Sequence, residues 1–141
     1  MRQKHKEEHD RLRVMIEDYV AALHGDVAPA ITEILQRRFA LSNALRAHVA
    51  EEGRVFDRLR TGDPHHAADR TLDEYGRRLR DAMPGYSTLI QEWTPQRITA
   101  EWPAYCGQVR ALVPRYYDYL AWEEANIHPL LDKESELRRA S

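Results

Sequence analysis

His48 and Glu52 stand four residues apart in LRAHVAEEGRVF, a spacing that projects both side chains from one face of a helix. An imidazole and a carboxylate so placed can grip one cation. A second acidic pair, Glu123-Glu124 in YLAWEEANIHPLL, and a histidine pair, His5 and His9 in HKEEHD, lie far away in the chain. Tyr75 in DEYGRRL and Tyr119, four residues before Glu123, add phenols. If these groups are buried together, their chemistry is constrained. A carboxylate removed from water must neutralise, pair or bind a metal. Histidine, carboxylate and phenolate donors suit iron or manganese, and the lack of thiolates argues against a structural zinc site.

Such groups meet only if long elements bring them to one level. Gly and Pro are scarce and act as punctuation, leaving four stretches at roughly 2–24, 27–60, 67–93 and 98–134. Asp26 reads as a helix N-cap and Gly62 as a C-terminal stop. Within each stretch the inward positions recur at three- and four-residue steps. The first stripe runs His5, His9, Leu12, Ile16, Tyr19, Leu23, and the second runs Ile31, Ile34, Arg38, Leu41, Leu45, His48, Glu52, Val55, Leu59. The third, Leu72, Tyr75, Leu79, Ala82, Tyr86, Leu89, Trp93, keeps phase across Pro84-Gly85, which therefore reads as a kink within one helix. The fourth is Trp102, Tyr105, Val109, Leu112, Tyr116, Tyr119, Glu123, with Pro114 expected to bend it and Asn126 interrupting it before Leu130. No period-2 alternation persists, so strands are not expected. The fold expected is all-α: an up-down-up-down antiparallel four-helix bundle forming a single domain over 1–141.

That topology can be checked against the heights of the polar residues. His9 and Tyr75 lie about eight residues into their helices; Glu52 lies eight residues before position 60 and Glu123 eleven before 134. At ~1.5 Å per residue, four helices would aim polar side chains at one interior layer, within a turn or two of each other.

These motifs resemble the hemerythrin-like family, also called the HHE cation-binding domain, over most of the chain from EEHDRLRVMI to YLAWEEANIHPLL. The resemblance implies a four-helix bundle holding non-haem iron for oxygen, redox or iron handling, with dioxygen or peroxide as small partners. It places metal ligands on His9, His48, Glu52 and Glu123, and puts Tyr75 and Tyr119 where the family carries histidines. Three readings of those tyrosines stay open. The first is phenolate ligation by both, the second is one bound ion instead of two, and the third is a metal-free cluster whose members hydrogen-bond to one another in a binding or interaction module. A one-residue shift of the last motif also leaves open whether Glu51 or Glu52, and Glu123 or Glu124, face inward.

Composition narrows the rest. Of 141 residues, 43% are hydrophobic and 31% charged, which suits a packed domain rather than a disordered or membrane chain. The formal charge of −2 is spread along the chain, so a nucleic-acid surface is not expected. A single cysteine, Cys106, and a charged N-terminus point to a cytoplasmic setting. Cys106 reads as a small buried hydrophobe, His5 as a solvated residue near a fraying end, and His24, His65 and His66 as loop residues. His128 reads as a packing residue. Val113, Tyr117, Leu120, Ile127 and Leu131 form a second stripe that could join two copies as a homodimer. No phosphate loop, hydrolase nucleophile motif or CxxC is present, so catalysis is not specifically indicated.

Overall fold

The computed structural model describes residues 2–140, with side chains described over 2–134. Met1 and Ser141, the ends of the expected 1–141 unit, lie outside the described residues. All regular structure among the described residues is helical: α1 (Arg2–Ala21), α2 (Ile31–Asp57), α3 (Ala67–Glu92), α4 (Pro95–Ala100), α5 (Trp102–Asn126) and α6 (His128–Ala140). The first three stretches read from the sequence each contain one helix. The fourth is divided, because Glu101 leaves helical geometry (φ −128°) between α4 and α5, whereas Ile127, between α5 and α6, keeps right-handed helical angles (φ −92°, ψ −40°).

The ends follow local chemistry, and two of them differ from expectation. Asp26 does not cap α2. Pro29 lacks an N–H and keeps the preceding residue extended, so helix begins only at Ile31, behind an Ala30 whose side chain caps nothing. Gly62 does not end α2 either; the helix finishes at Asp57, and Gly62, with φ 88°, forms the following turn. Asp69 secures that turn by accepting from the Thr61 N–H (2.9 Å), the Thr61 hydroxyl (2.8 Å) and the Gly62 N–H (3.3 Å). His66 caps α3, its Nδ1 accepting from the Ala68 N–H. Thr94 caps α4 through the Arg97 N–H, with Pro95 at the first helical position. Pro84-Gly85 lies inside one continuous α3, as the stripe required, and Pro114 lies within α5.

The stripes are the buried faces. α1 buries His5, His9, Leu12, Ile16 and Tyr19, and α2 buries Ile34, Leu41, Leu45, His48, Glu52 and Val55 among others. α1 packs on α2, α5 and α6; α3 packs on α5; and α4 contacts both α2 and α5. One apolar core gathers Leu12, Ile16, Tyr19, Leu45, Trp93, Trp102 and Tyr105, and it includes the free Cys106. A second gathers Val55, Phe56, Leu72, Tyr75, Tyr119, Leu120, Ile127 and Leu131. α5 is flanked by α1, α3, α4 and α6, so both of its apolar stripes are covered. The stripe expected to join two copies is therefore core. Leu120, Ile127 and Leu131 are fully buried, and Val113 and Tyr117 pack half-buried against the interior. No helix among the described residues is long and apolar enough to cross a membrane.

Candidate metal centre

Between the two cores, α1, α2 and α5 bring polar side chains to one point. His5 and His9 come from α1, His48 and Glu52 from α2, and Glu123 from α5. Each offers one ligand atom, and these five atoms all lie within 4.8 Å of one another. All five residues are buried; His9 and Glu123 have no exposed surface at all.

The local geometry follows from helical spacing. His5 and His9 are one turn apart on α1, as are His48 and Glu52 on α2, so each helix presents a matched pair. Glu52 Oε2 is the focus: His5 Nε2 lies 3.0 Å away, His48 Nε2 3.1 Å and His9 Nε2 3.7 Å. His9 Nε2 is also 3.3 Å from Glu123 Oε2. None of these contacts has hydrogen-bond geometry. Glu52 Oε2, both Glu123 oxygens and both nitrogens of His9 and of His48 are buried without a hydrogen-bond partner. Donors in an octahedron around an ion at ~2.1 Å lie ~3.0 Å apart when adjacent and ~4.2 Å apart when opposite. The contacts of 3.0 to 3.7 Å fall within that range, so the five residues could hold a cation.

The two tyrosines join the site from another side. The Tyr75 hydroxyl donates to Glu52 Oε1 at 3.1 Å, and the Tyr119 hydroxyl reaches the same oxygen at 3.4 Å. Burial and the neighbouring carboxylates push both phenols well above the ordinary tyrosine range. Glu52 thus has one oxygen held by phenols and one turned toward the imidazoles.

Charges within the cluster are strongly unequal. Burial pushes the Glu52 carboxyl upward, but its contacts with Glu123, His48 and His9 outweigh that and hold it well below the usual range. Glu123 moves the opposite way, raised well above its usual value by burial and by the facing Glu52. Burial would lower His9, yet Glu123 and Glu52 together raise it to about 9. His5 is lowered to about 4, chiefly by burial, despite the Glu52 charge. Without a cation, the cluster therefore shares few charges among many polar atoms.

The sequence left the inward-facing acids open, and their positions are now plain. Glu52 and Glu123 face the cluster. Glu51 lies half-buried at the rim and pairs with Arg54, while Glu124 pairs with Arg13 and Lys6. His5, read as solvated, is buried among the other imidazoles. α6 packs against α1, and Arg2 pairs with Asp132, so the start of α1 is covered rather than frayed. Its position four residues before His9 was the available signal. His128, read as packing, is also buried, and its Nε2 has no partner. Its ring centroid stands 5.1 Å from that of His5 and 5.4 Å from that of His9. His24, His65 and His66 are exposed, as their loop positions suggested.

Comparison of the chain with protein-family models, with curated proteins and with solved structures found no match.

Proposed function

We propose that this chain is a hemerythrin-like, single-domain four-helix bundle of up-down-up-down topology that holds non-haem iron at His5, His9, His48, Glu52 and Glu123. The observation that carries the reading is the set of five buried ligand atoms within 4.8 Å of one another, most of them without a hydrogen-bond partner. Unsatisfied buried polar groups cost about 1–3 kcal/mol each, so a cluster of this size calls for a cation. One ion is favoured over two, because the donors form a single compact group and the family's remaining histidine positions carry Tyr75 and Tyr119. Iron is preferred for its fit to mixed imidazole and carboxylate donors.

Bound iron would supply a redox-active centre with a position open to a small molecule such as dioxygen or peroxide. The chain's own residues would do the rest. Tyr75 and Tyr119 would fix Glu52 by holding Oε1, leaving Oε2 for the ion, and such outer hydrogen bonds commonly tune metal affinity. The apolar cores on either side would keep bulk water out. The role is oxygen, redox or iron handling in a cytoplasmic setting.

The metal-free reading draws on one observation, the hydrogen bonds from both tyrosines to Glu52. These satisfy one carboxylate oxygen and leave the imidazoles and Glu123 unserved, which favours the metal.

Metal analysis of protein from iron-replete expression tests the proposal. About one iron per chain is expected, and His48→Ala should reduce this to near zero while far-UV circular dichroism stays helical. Near-zero iron in the unaltered protein, with no spectral change on anaerobic iron(II) addition, would overturn it.

A further inference from the structure

With one donor from each of the five residues, a six-coordinate ion held here would keep one position for a small molecule. What surrounds that group indicates which side chain would meet a molecule bound there. The far oxygen of Glu52 is occupied by Tyr75 and Tyr119. His9 Nδ1 looks toward Glu124 at 3.6 Å, and His48 Nδ1 toward Glu8 at 3.6 Å. His128 has no such assignment. It is 1% exposed, and its Nε2 is buried without a partner.

His128 lies beside the group but is not a member of it. Its ring stands about as far from His5 and His9 as those rings stand from each other, at 5.1 and 5.4 Å against 4.8 Å. His128 is the first residue of α6, which packs against α1 and so brings this ring to those of His5 and His9. A buried imidazole beside the five donors, with a nitrogen that no other group occupies, would be able to hydrogen-bond a small ligand on an ion held there.

We infer that His128 is the binding residue for the exogenous ligand of this centre, a small anion or oxygen species that it holds by a hydrogen bond through Nε2. The inference rests on the proposed metal site. Tyr116 gives an internal comparison, because its hydroxyl is also buried and unpartnered, but its ring stacks on Tyr119 rather than on the imidazoles.

Azide is the probe, titrated into the iron(III) protein and followed by its charge-transfer absorption, with iron content measured in parallel. H128F should retain about one iron per chain and bind azide at least tenfold more weakly. H128Q, whose amide can still donate, should recover part of that loss, and Y116F should bind azide like the unaltered protein. Unchanged azide affinity in H128F overturns the inference. Loss of iron from H128F and H128Q, with the helical signal retained, also overturns it by making His128 a metal ligand. If H128F fails to fold, H128Q is compared with H128A: equal azide affinity sinks the hydrogen bond, and tighter binding by H128Q supports it. Absence of iron from the unaltered protein is a separate result, which removes the proposed function and this inference with it.

Discussion

At the scale of single residues, Glu52 organises the site. One oxygen accepts from phenols and the other faces three imidazole nitrogens, so each change around it has a distinct expected outcome. Tyr75→Phe removes a hydrogen bond to Oε1 but no donor of the five-atom group. It should keep iron while weakening affinity by about 10–100-fold, as loss of an outer hydrogen bond usually does. Competition with a chelator of known affinity would measure this. Because both hydroxyls donate to Glu52, the iron protein should also lack the broad visible band of an iron-bound tyrosinate. Such a band, lost in Y75F or in the matching Tyr119→Phe, would place a phenolate on the metal. Glu52→Gln is a harsher change, replacing the central anion with a neutral amide, and it should leave iron near zero.

At the scale of elements, the centre depends on how α1 is held against α5. Glu124 does this from the rim by accepting from Arg13 and Lys6. Burial raises its carboxyl, but the Arg13 hydrogen bond and then Lys6 outweigh that and hold it down at about 2. A depressed folded-state value means stabilisation that is complete above the ordinary glutamate value of about 4.3 and is lost as pH falls toward 2. The stability gap between the unaltered protein and Glu124→Gln should therefore narrow steadily from pH 5 to pH 2. Urea midpoints across that range would show it, and a constant gap would mean the pair contributes nothing through its charge. Within α3, Gly85 sits in a continuous helix, where a Cβ would meet Leu112 Cδ2 at an ordinary 3.4 Å. Gly85→Ala should stabilise by about 1 kcal/mol from helix propensity, raising Tm by about 3 °C.

These elements also show what could be read in advance. The stripes were legible because burial on a helix repeats every three or four residues, and that period carried α3 through Pro84-Gly85 intact. The helix ends were less so. Pro29 delays α2 to Ile31, and the caps of α3 and α4, His66 and Thr94, act through short local contacts with no long-range pattern. His5 has the right spacing, but its proximity to the terminus masks it in the sequence, because α6, which covers that end, is brought there only by the fold. His128 carried no periodic signal, since it lies off the stripe that ends in Glu123.

At the scale of the whole molecule, a polar cluster lies between two apolar cores, and this arrangement sets stability against function. Buried imidazoles and carboxylates without partners weaken the folded state, whereas a cation satisfies them together. Free metal at a thousand times its dissociation constant should add about 4 kcal/mol to stability, with a matching rise in Tm that a chelator reverses. His48→Leu separates the two contributions, because both nitrogens of His48 are unpartnered while the residue packs in the interior. In metal-free protein this change should raise stability by about 1 kcal/mol, since it exchanges an unsatisfied polar group for an apolar one. With metal present the order should reverse, because the variant gains nothing from the ion. Thermal melts of both proteins, with iron(II) and with chelator under anaerobic conditions, would show the crossing. A variant less stable than the unaltered protein under both conditions, by the same margin, would mean that His48 is satisfied without metal, and the metal-free network would then be the better account.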